Sequence, residues 1–365
     1  MLELGREMFK PLTLDEAWAM QYRLVDTIRR RLDGYAQLQA GDSGVYAGLN
    51  RPQRTAEVEE ILAEFFDAEA AALVRGAGTG AIRLALVATT RPGSRVLIHK
   101  PPTYPTTMRS LESMALDLVY VDLNDLDAVA QAVQEGELSS VLIQHTYQSD
   151  DDTYALDEVV QVIKEHAPDL PILVDDNYAA FKIARIGVQQ GADASAFSLF
   201  KLFGPEGVGL VLGRKAIIDR IHSLNYSGGS QVQGPEAMDA LRSLVYVPVN
   251  HAGAARVIAE LLEQDIPGAR LRASLIQGVH LVVEFDQPVG EQVAKAATRH
   301  GALPHPVGAE SRYELSPVFY RMSGTFREMF PERAQYMMRI SPMRAGTETV
   351  LSILRAAMRD AGVSA

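Results

Sequence analysis

A chain of 365 residues, 47% hydrophobic and 22% charged, has enough apolar material for a large core and more than one lobe, which excludes disordered and collagen-like classes. Its formal charge of −11, with no dense Lys/Arg stripe, repels phosphate backbones, so no nucleic-acid partner is expected. The absence of cysteine removes disulfides, thiolate metal ligands and any cysteine nucleophile or persulfide carrier, which agrees with a cytoplasmic setting.

The first residues lack a basic region followed by an apolar core, and no later run reaches the roughly 18 apolar residues of a membrane helix. Neither secretion nor membrane insertion is expected. Thr13 and Glu16 form a capping-box pattern. It opens a helix carrying Trp18, Tyr22, Val25, Ile28 and Leu32 at helical spacing, an arm expected to pack on the main body. A glycine-spaced loop, "GDSGVYAGLNRPQR", leads to an amphipathic helix on which Val58, Ile61, Leu62, Phe65 and Phe66 share a face.

From about residue 70, apolar strands alternate with helical stretches: "AALVRG", "RVLIHK", "LDLVYVD", "SVLIQHT", "PILVDDN", "ASAFSLF" and "GVGLVLG". The alternation predicts an α/β fold with a mostly parallel seven-stranded sheet sandwiched by helices. Ligands in such sheets bind beyond the carboxyl ends of the strands. After about 250 the rhythm changes to two amphipathic helices around "VHLVVEF", "YELSPVFYRM" and "YMMRISP", a smaller C-terminal α+β domain. The expected division is a helical arm over 1–45, a large domain over 46–248 and a small domain over 249–365.

Three stretches in the large domain carry chemistry. "LVRGAGTGAIRLAL" runs strand, turn, helix, and Gly76, Gly78, Thr79 and Gly80 let backbone N–H groups and the positive helix end face an anion. A plain tight turn uses the same glycines. The spacing is not the G-x-G-x-x-G dinucleotide fingerprint and no acid ends a strand about twenty residues on, which counts against a nicotinamide dehydrogenase. In "PILVDDNYAAFK", Asp175 and Asp176 end an apolar strand and must face opposite sides of it, so one can meet a ligand cation while the other caps a loop. In "SAFSLFKLFGPEGVG", Lys201 ends another strand, three residues after Ser198. An apolar pocket lowers a lysine's pKa and frees the amine to attack a carbonyl, whereas a snorkelling lysine would only pack its stem.

A phosphate cradle, a strand-end acid and a strand-end amine match the phosphate, pyridinium nitrogen and aldehyde of pyridoxal phosphate. The chain resembles the fold-type-I pyridoxal-phosphate enzymes, the aspartate-aminotransferase-like superfamily, over roughly residues 45 to 350. The resemblance implies that Lys201 forms the Schiff base and that Asp175 pairs with the ring nitrogen. It also implies that Ser198 joins Gly78, Thr79 and Gly80 on the phosphate, while Tyr104, in "KPPTYP", stacks on the ring. Arg339, in "MMRISPMRAG", matches the arginine that grips the substrate α-carboxylate through two parallel hydrogen bonds, with Arg344 as competitor.

The segment from "VYAGLNRPQR" resembles one in the cystathionine and methionine lyase branch, where a tyrosine and an arginine reach the neighbouring subunit's phosphate site. Tyr46 matches the tyrosine; Gly48 stands at the family's arginine position and Arg51 comes later. A homodimer with a shared active site is implied. His145, Thr146 and Gln148, ending a strand in the same cleft, are expected to touch the ring oxygen or select the substrate, without assigned roles. No metal site is expected.

The implied activity is an aminotransferase-like reaction on an α-amino acid. The alternative is a carbon–sulfur (β/γ-eliminating) or related ammonia-releasing lyase. A selenocysteine-synthase-like or aminosugar-related reaction, and a regulator that binds the cofactor, stand further off. Cysteine desulfurase in its usual form is excluded by the missing cysteine.

Overall fold

The computed structural model describes residues 10–147, 149, 151–226, 230–273, 280–304, 315–322 and 324–363. Helices α1 (Leu14–Arg31), α2 (Gly34–Leu38) and α3 (Gln53–Phe65) precede the large sheet. The sheet is then built by β1 (Ala70–Arg75), α4 (Ala77–Thr89), β2 (Arg95–His99), α5 (Pro105–Ser113), β3 (Asp117–Val121), α6 (Leu126–Glu135), β4 (Ser140–Gln144), α7 (Leu156–His166), β5 (Ile172–Asp175), β6 (Ala194–Ser198), β7 (Val208–Gly213) and α8 (Lys215–Leu224). The long α9 (Gly234–Leu262) leads into β8 (Ala269–Ala273), β9 (Leu281–Phe285), α10 (Gly290–Ala297), β10 (Val318–Arg321), α11 (Gly324–Met329), α12 (Pro331–Ala334), β11 (Met337–Ser341) and α13 (Thr347–Asp360).

All seven expected strands join one sheet in the order β1-β7-β6-β5-β4-β2-β3. Only β7 runs against its neighbours, so β1, β2, β4, β5 and β6 all end at the same edge. Every residue of β5, β6 and β7 is buried, which is why these strands read as continuous apolar runs instead of alternating ones. Phe65, ending α3, and the next residue Phe66 pack edge-on to each other; Phe65 stacks on Phe181, and Phe66 meets Phe181 and Phe197 edge-on.

The capping box at Thr13 forms as expected. The stripe of α1 is nevertheless divided between two environments. Leu24 and Ile28 are buried where α1 packs on α9 and α3, whereas Trp18, Tyr22 and Val25 are 43%, 67% and 45% exposed. Helical periodicity identifies an apolar stripe but not the surface it meets, and here Ala17, Leu24 and Thr27 supply the buried one.

The C-terminal sheet is antiparallel, in the order β10-β11-β9-β8, and packs against α10 and α13. Strand β8 was not expected, because Arg270 and Arg272 interrupt its apolar pattern and it lies part-exposed at the sheet edge. Helix α9 runs through position 248, so the expected domain boundary falls inside a continuous helix shared by both parts. Among the described residues no helix is long and apolar enough to cross a membrane.

Candidate active site

The common edge formed by the ends of β1, β5 and β6 brings together the glycine turn, Asp175 and Lys201. Gly76, the N-cap of α4, has φ +92°, a left-handed conformation that glycine adopts without strain. The amides of Gly76 and Ala77 donate to the Gly207 carbonyl at 2.8 and 3.0 Å, and that of Gly80 donates to Gly76 O at 2.8 Å. Since the first amides of a helix have no partner within it, the turn presents those of Gly78 and Thr79 at the positive end of α4. Gly80 serves by its size instead: a Cβ there would strike the Arg75 carbonyl. Ser198, at the end of β6, is buried beside this turn through the bond of its amide to Asn177 Oδ1 at 2.9 Å.

Asp175 and Asp176 separate as strand alternation requires. Asp176 Oδ1 lies 2.5 Å from His145 Nδ1, and its Oδ2 accepts from the Gly187 amide at 3.1 Å. His145 and Asp176 are both fully buried, so His145 faces away from the cleft and braces the sheet. Thr146 is buried too, and Gln148 lies outside the described residues.

Asp175 Oδ1 accepts from the backbone and side-chain nitrogens of Asn177 at 3.0 and 2.7 Å. Burial raises its pKa above the usual carboxylate value, while Asn177 and Lys201 oppose the rise. A small cavity of about 30 Å³ opens at Asp175 between Thr103, Thr107, Gln144 and Tyr154. Roomier clefts, such as one of about 620 Å³ lined by Lys10, Glu16, Asp157 and Arg185, share no residue with it.

Lys201 is part-buried, with its Nζ 4.0 Å from the ring centre of Tyr178 and 6.0 Å from that of Tyr104. The expectation of a lowered amine pKa is overturned. Burial does push it down, but Tyr178, Tyr104 and the Asp175 carboxylate together outweigh burial and hold it above the ordinary lysine value. Tyr104 stands at the head of α5, and burial raises its phenol above the usual range, so it stays protonated at neutral pH.

Tyr178 and Asn177 are the site residues that sequence reasoning passed over. Their signal is proximity in the chain: Asn177 lies two residues and Tyr178 three residues after Asp175 in "DDNYAAFK".

From the smaller domain, Arg339 on β11 is buried, its guanidinium 4.3 Å over the Tyr320 ring and its Nε donating to Arg321 O at 3.3 Å. Arg344 is exposed and stacks 4.6 Å over Phe203 instead.

Tyr46 and Arg51 do not join the cluster within this chain. Tyr46 is 52% exposed. Arg51 Nε lies 2.7 Å from Glu59, whose carboxyl is driven up to about 7 by burial.

The residues at this edge fit pyridoxal phosphate: anion-seeking amides and a hydroxyl, a buried carboxylate with one oxygen engaged by Asn177, an amine between two phenols and a guanidinium. The fit is tight at Gly78, where a Cβ would sit 2.8 Å from Asn177 Cγ.

The sequence profile described as "Aminotransferase class I and II" matches residues 24–243, and one described as "YhfS-like, C-terminal domain" matches residues 256–354. The chain is 50% identical to the protein YhfS of Escherichia coli (strain K12), over 94% of this chain and 96% of that protein. The crystal structure of YhfS, described as a pyridoxal-5'-phosphate dependent protein, superposes with a TM-score of 0.94 at 47% identity, covering 98% of this chain and 99% of that one. Cystathione gamma lyase CalE6 from Micromonospora echinospora shares the fold, with a TM-score of 0.73 at 18% identity over 93% and 99% of the two chains.

Proposed function

The chain belongs to the class I and II aminotransferase family, and from that premise we propose that it is an aminotransferase-like enzyme acting on an α-amino acid with Lys201 as the reacting amine. Its cofactor is pyridoxal phosphate, which supplies an aldehyde for an amine and a protonated ring that draws electrons from the substrate α-carbon. The observation that carries this reading is the position of Lys201, its amine 4.0 Å from the Tyr178 ring at the strand edge that also bears Asp175 and the α4 turn.

In this reading the Lys201 amine, standing beside the substrate α-carbon, would take the α-proton and hold it for return. Tyr178 stands beside that amine, orients it and shares its proton. Asp175, fixed by Asn177, would keep the ring nitrogen protonated. The amides of Gly78 and Thr79 with the Ser198 hydroxyl would hold the phosphate, and Tyr104 would lie against the ring. Arg339 receives the α-carboxylate as a forked ion pair, geometry a lysine cannot reproduce.

A second reading, elimination of a β- or γ-substituent, is favoured by one observation. Tyr104, 6.0 Å from Lys201 and kept protonated by burial, can donate a proton to a departing group. The surface supports a homodimer for either reaction: Trp18, Tyr22, Tyr35, Leu38 and Tyr46 are large, apolar or amphipathic, and exposed in the single chain. Tyr46, exposed in the single chain, would serve the partner's phosphate site.

The deciding experiment incubates holoprotein with a panel of amino acids and follows the spectrum and the products. Conversion of the cofactor to pyridoxamine phosphate supports transfer, ammonia released with the cofactor unchanged supports elimination, and no spectral response to any amino acid counts against both.

A further inference from the structure

The two halves of the site come from different domains, and one buried imidazole stands between them. Arg339 of β11 lies opposite Tyr320 of β10 and opposite Val282 of β9. Paired residues share a sheet face, and so do residues two apart, which puts His280 on the same face as Val282, Arg339 and Tyr320. The contacts agree. The His280 ring meets Tyr320 edge-to-face at 5.9 Å and 79°, and on its other side meets Tyr178 at 6.4 Å and 74°.

At the ends of this stack, the Arg339 guanidinium lies 4.3 Å over Tyr320 and the Lys201 amine 4.0 Å from Tyr178. The result is a column, Lys201, Tyr178, His280, Tyr320, Arg339, that runs from the reacting amine to the carboxylate grip. His280 is 1% exposed, Tyr320 2% and Arg339 7%, so the Arg339 end of the column is closely packed and cannot shift without repacking, while Tyr178 and Lys201 at the other end are part-buried.

We propose that His280 is a positioning residue that sets the distance and tilt of the Arg339 guanidinium relative to Lys201, and through it the enzyme's selection of substrates bearing an α-carboxylate. The inference rests on the assignment of Arg339 as the carboxylate grip. His280 acts through its neighbours' rings, so its ring shape matters more than its nitrogen atoms. Removing the ring frees Tyr320 to rotate, and the arginine resting on it follows. A fork displaced by about 1 Å loses much of its advantage over a single contact.

The test compares the affinities of holoprotein for 2-aminoisobutyrate, which has an α-carboxylate but no α-proton to lose, and for isopropylamine, which lacks the carboxylate. Spectral titration gives both, and their ratio measures carboxylate recognition without turnover. His280→Ala should lower the ratio about tenfold, as expected for loss of two ring contacts, and His280→Phe, which keeps a ring, should restore it to within about threefold. In crystals of the His280→Ala apoprotein the Arg339 guanidinium should leave its place over Tyr320.

A wild-type ratio in His280→Ala, or an Arg339 that has not moved, overturns the inference while Arg339→Ala still collapses the ratio. A wild-type ratio in Arg339→Ala removes the carboxylate assignment itself and the inference with it.

Discussion

Replacing Gly78 with alanine probes how the phosphate turn and the pyridine-side acid are tied together. Gly78 lies in the first turn of α4 and has no left-handed φ, so its backbone accepts alanine; the obstacle is Asn177. A Cβ at Gly78 would sit 2.7 Å from Asn177 Nδ2 and 2.8 Å from its Cγ, well inside van der Waals contact, so the amide must swing away. The swing breaks the 2.7 Å bond from Asn177 Nδ2 to Asp175 and the 2.9 Å bond from the Ser198 amide to Asn177 Oδ1.

A hydrogen bond to a charged group contributes about 1.5–3 kcal/mol and a neutral one about 0.5–1.5, so the change removes on the order of 2–4 kcal/mol of organisation at the site. If that loss falls on cofactor binding, the Kd for pyridoxal phosphate rises about 30- to 1000-fold. Absorbance titration of apoprotein measures it. Asn177→Ala, which loses the same two bonds without the collision, should weaken binding similarly, and the double variant should be no worse than either single one. Wild-type affinity in Gly78→Ala, or additive losses in the double variant, would refute the reasoning.

Asp175→Asn should retain cofactor but slow exchange of the substrate α-proton with D2O, followed by NMR, on the order of 100-fold or more, because a neutral amide does not stabilise the charged ring; unchanged exchange removes the role. Arg339→Lys should raise KM for α-amino acids about tenfold or more with kcat nearly kept, since the forked contact is lost; unaltered KM moves the carboxylate site elsewhere. Glu59, raised from 4.5 to about 7, keeps its proton in the folded chain across a range where the unfolded chain has released it. Its contribution is therefore full below pH 4.5 and fades as pH rises to 7, by about 3 kcal/mol. Glu59→Gln should flatten that slope in urea melts at pH 5 and pH 7.5, and an undiminished slope contradicts it.

How far the site could be read from residues alone depended on how local the signal was. Asp175 and Lys201 stood out because charged groups at the ends of wholly apolar strands are costly unless used; Asp175 does end β5, whereas Lys201, expected to end a strand, lies in a short 3-10 turn (Phe200–Leu202) just past the end of the adjacent β6. Tyr178 and Asn177 were equally near in the chain, but tyrosine and asparagine in a turn have ordinary explanations, and only the folded geometry shows the phenol against the amine. His145 read as a cleft residue because a strand end is where ligands bind, yet its side chain takes the opposite face, to Asp176. The direction of the Lys201 pKa depended on two tyrosines brought from 97 and 23 residues away, which burial reasoning omits. Strand β8 escaped because an edge strand needs no apolar run, and the outward stripe of α1 because periodicity is blind to which side meets the core.

Borohydride reduction of the holoenzyme, followed by proteolysis and mass spectrometry, tests most directly which amine bears the cofactor. The account predicts a single pyridoxyl-modified peptide, with the mass on Lys201. A label on Lys182, a buried lysine whose amine lies 5.2 Å from the Tyr178 ring, or no stable label on any lysine, would contradict it.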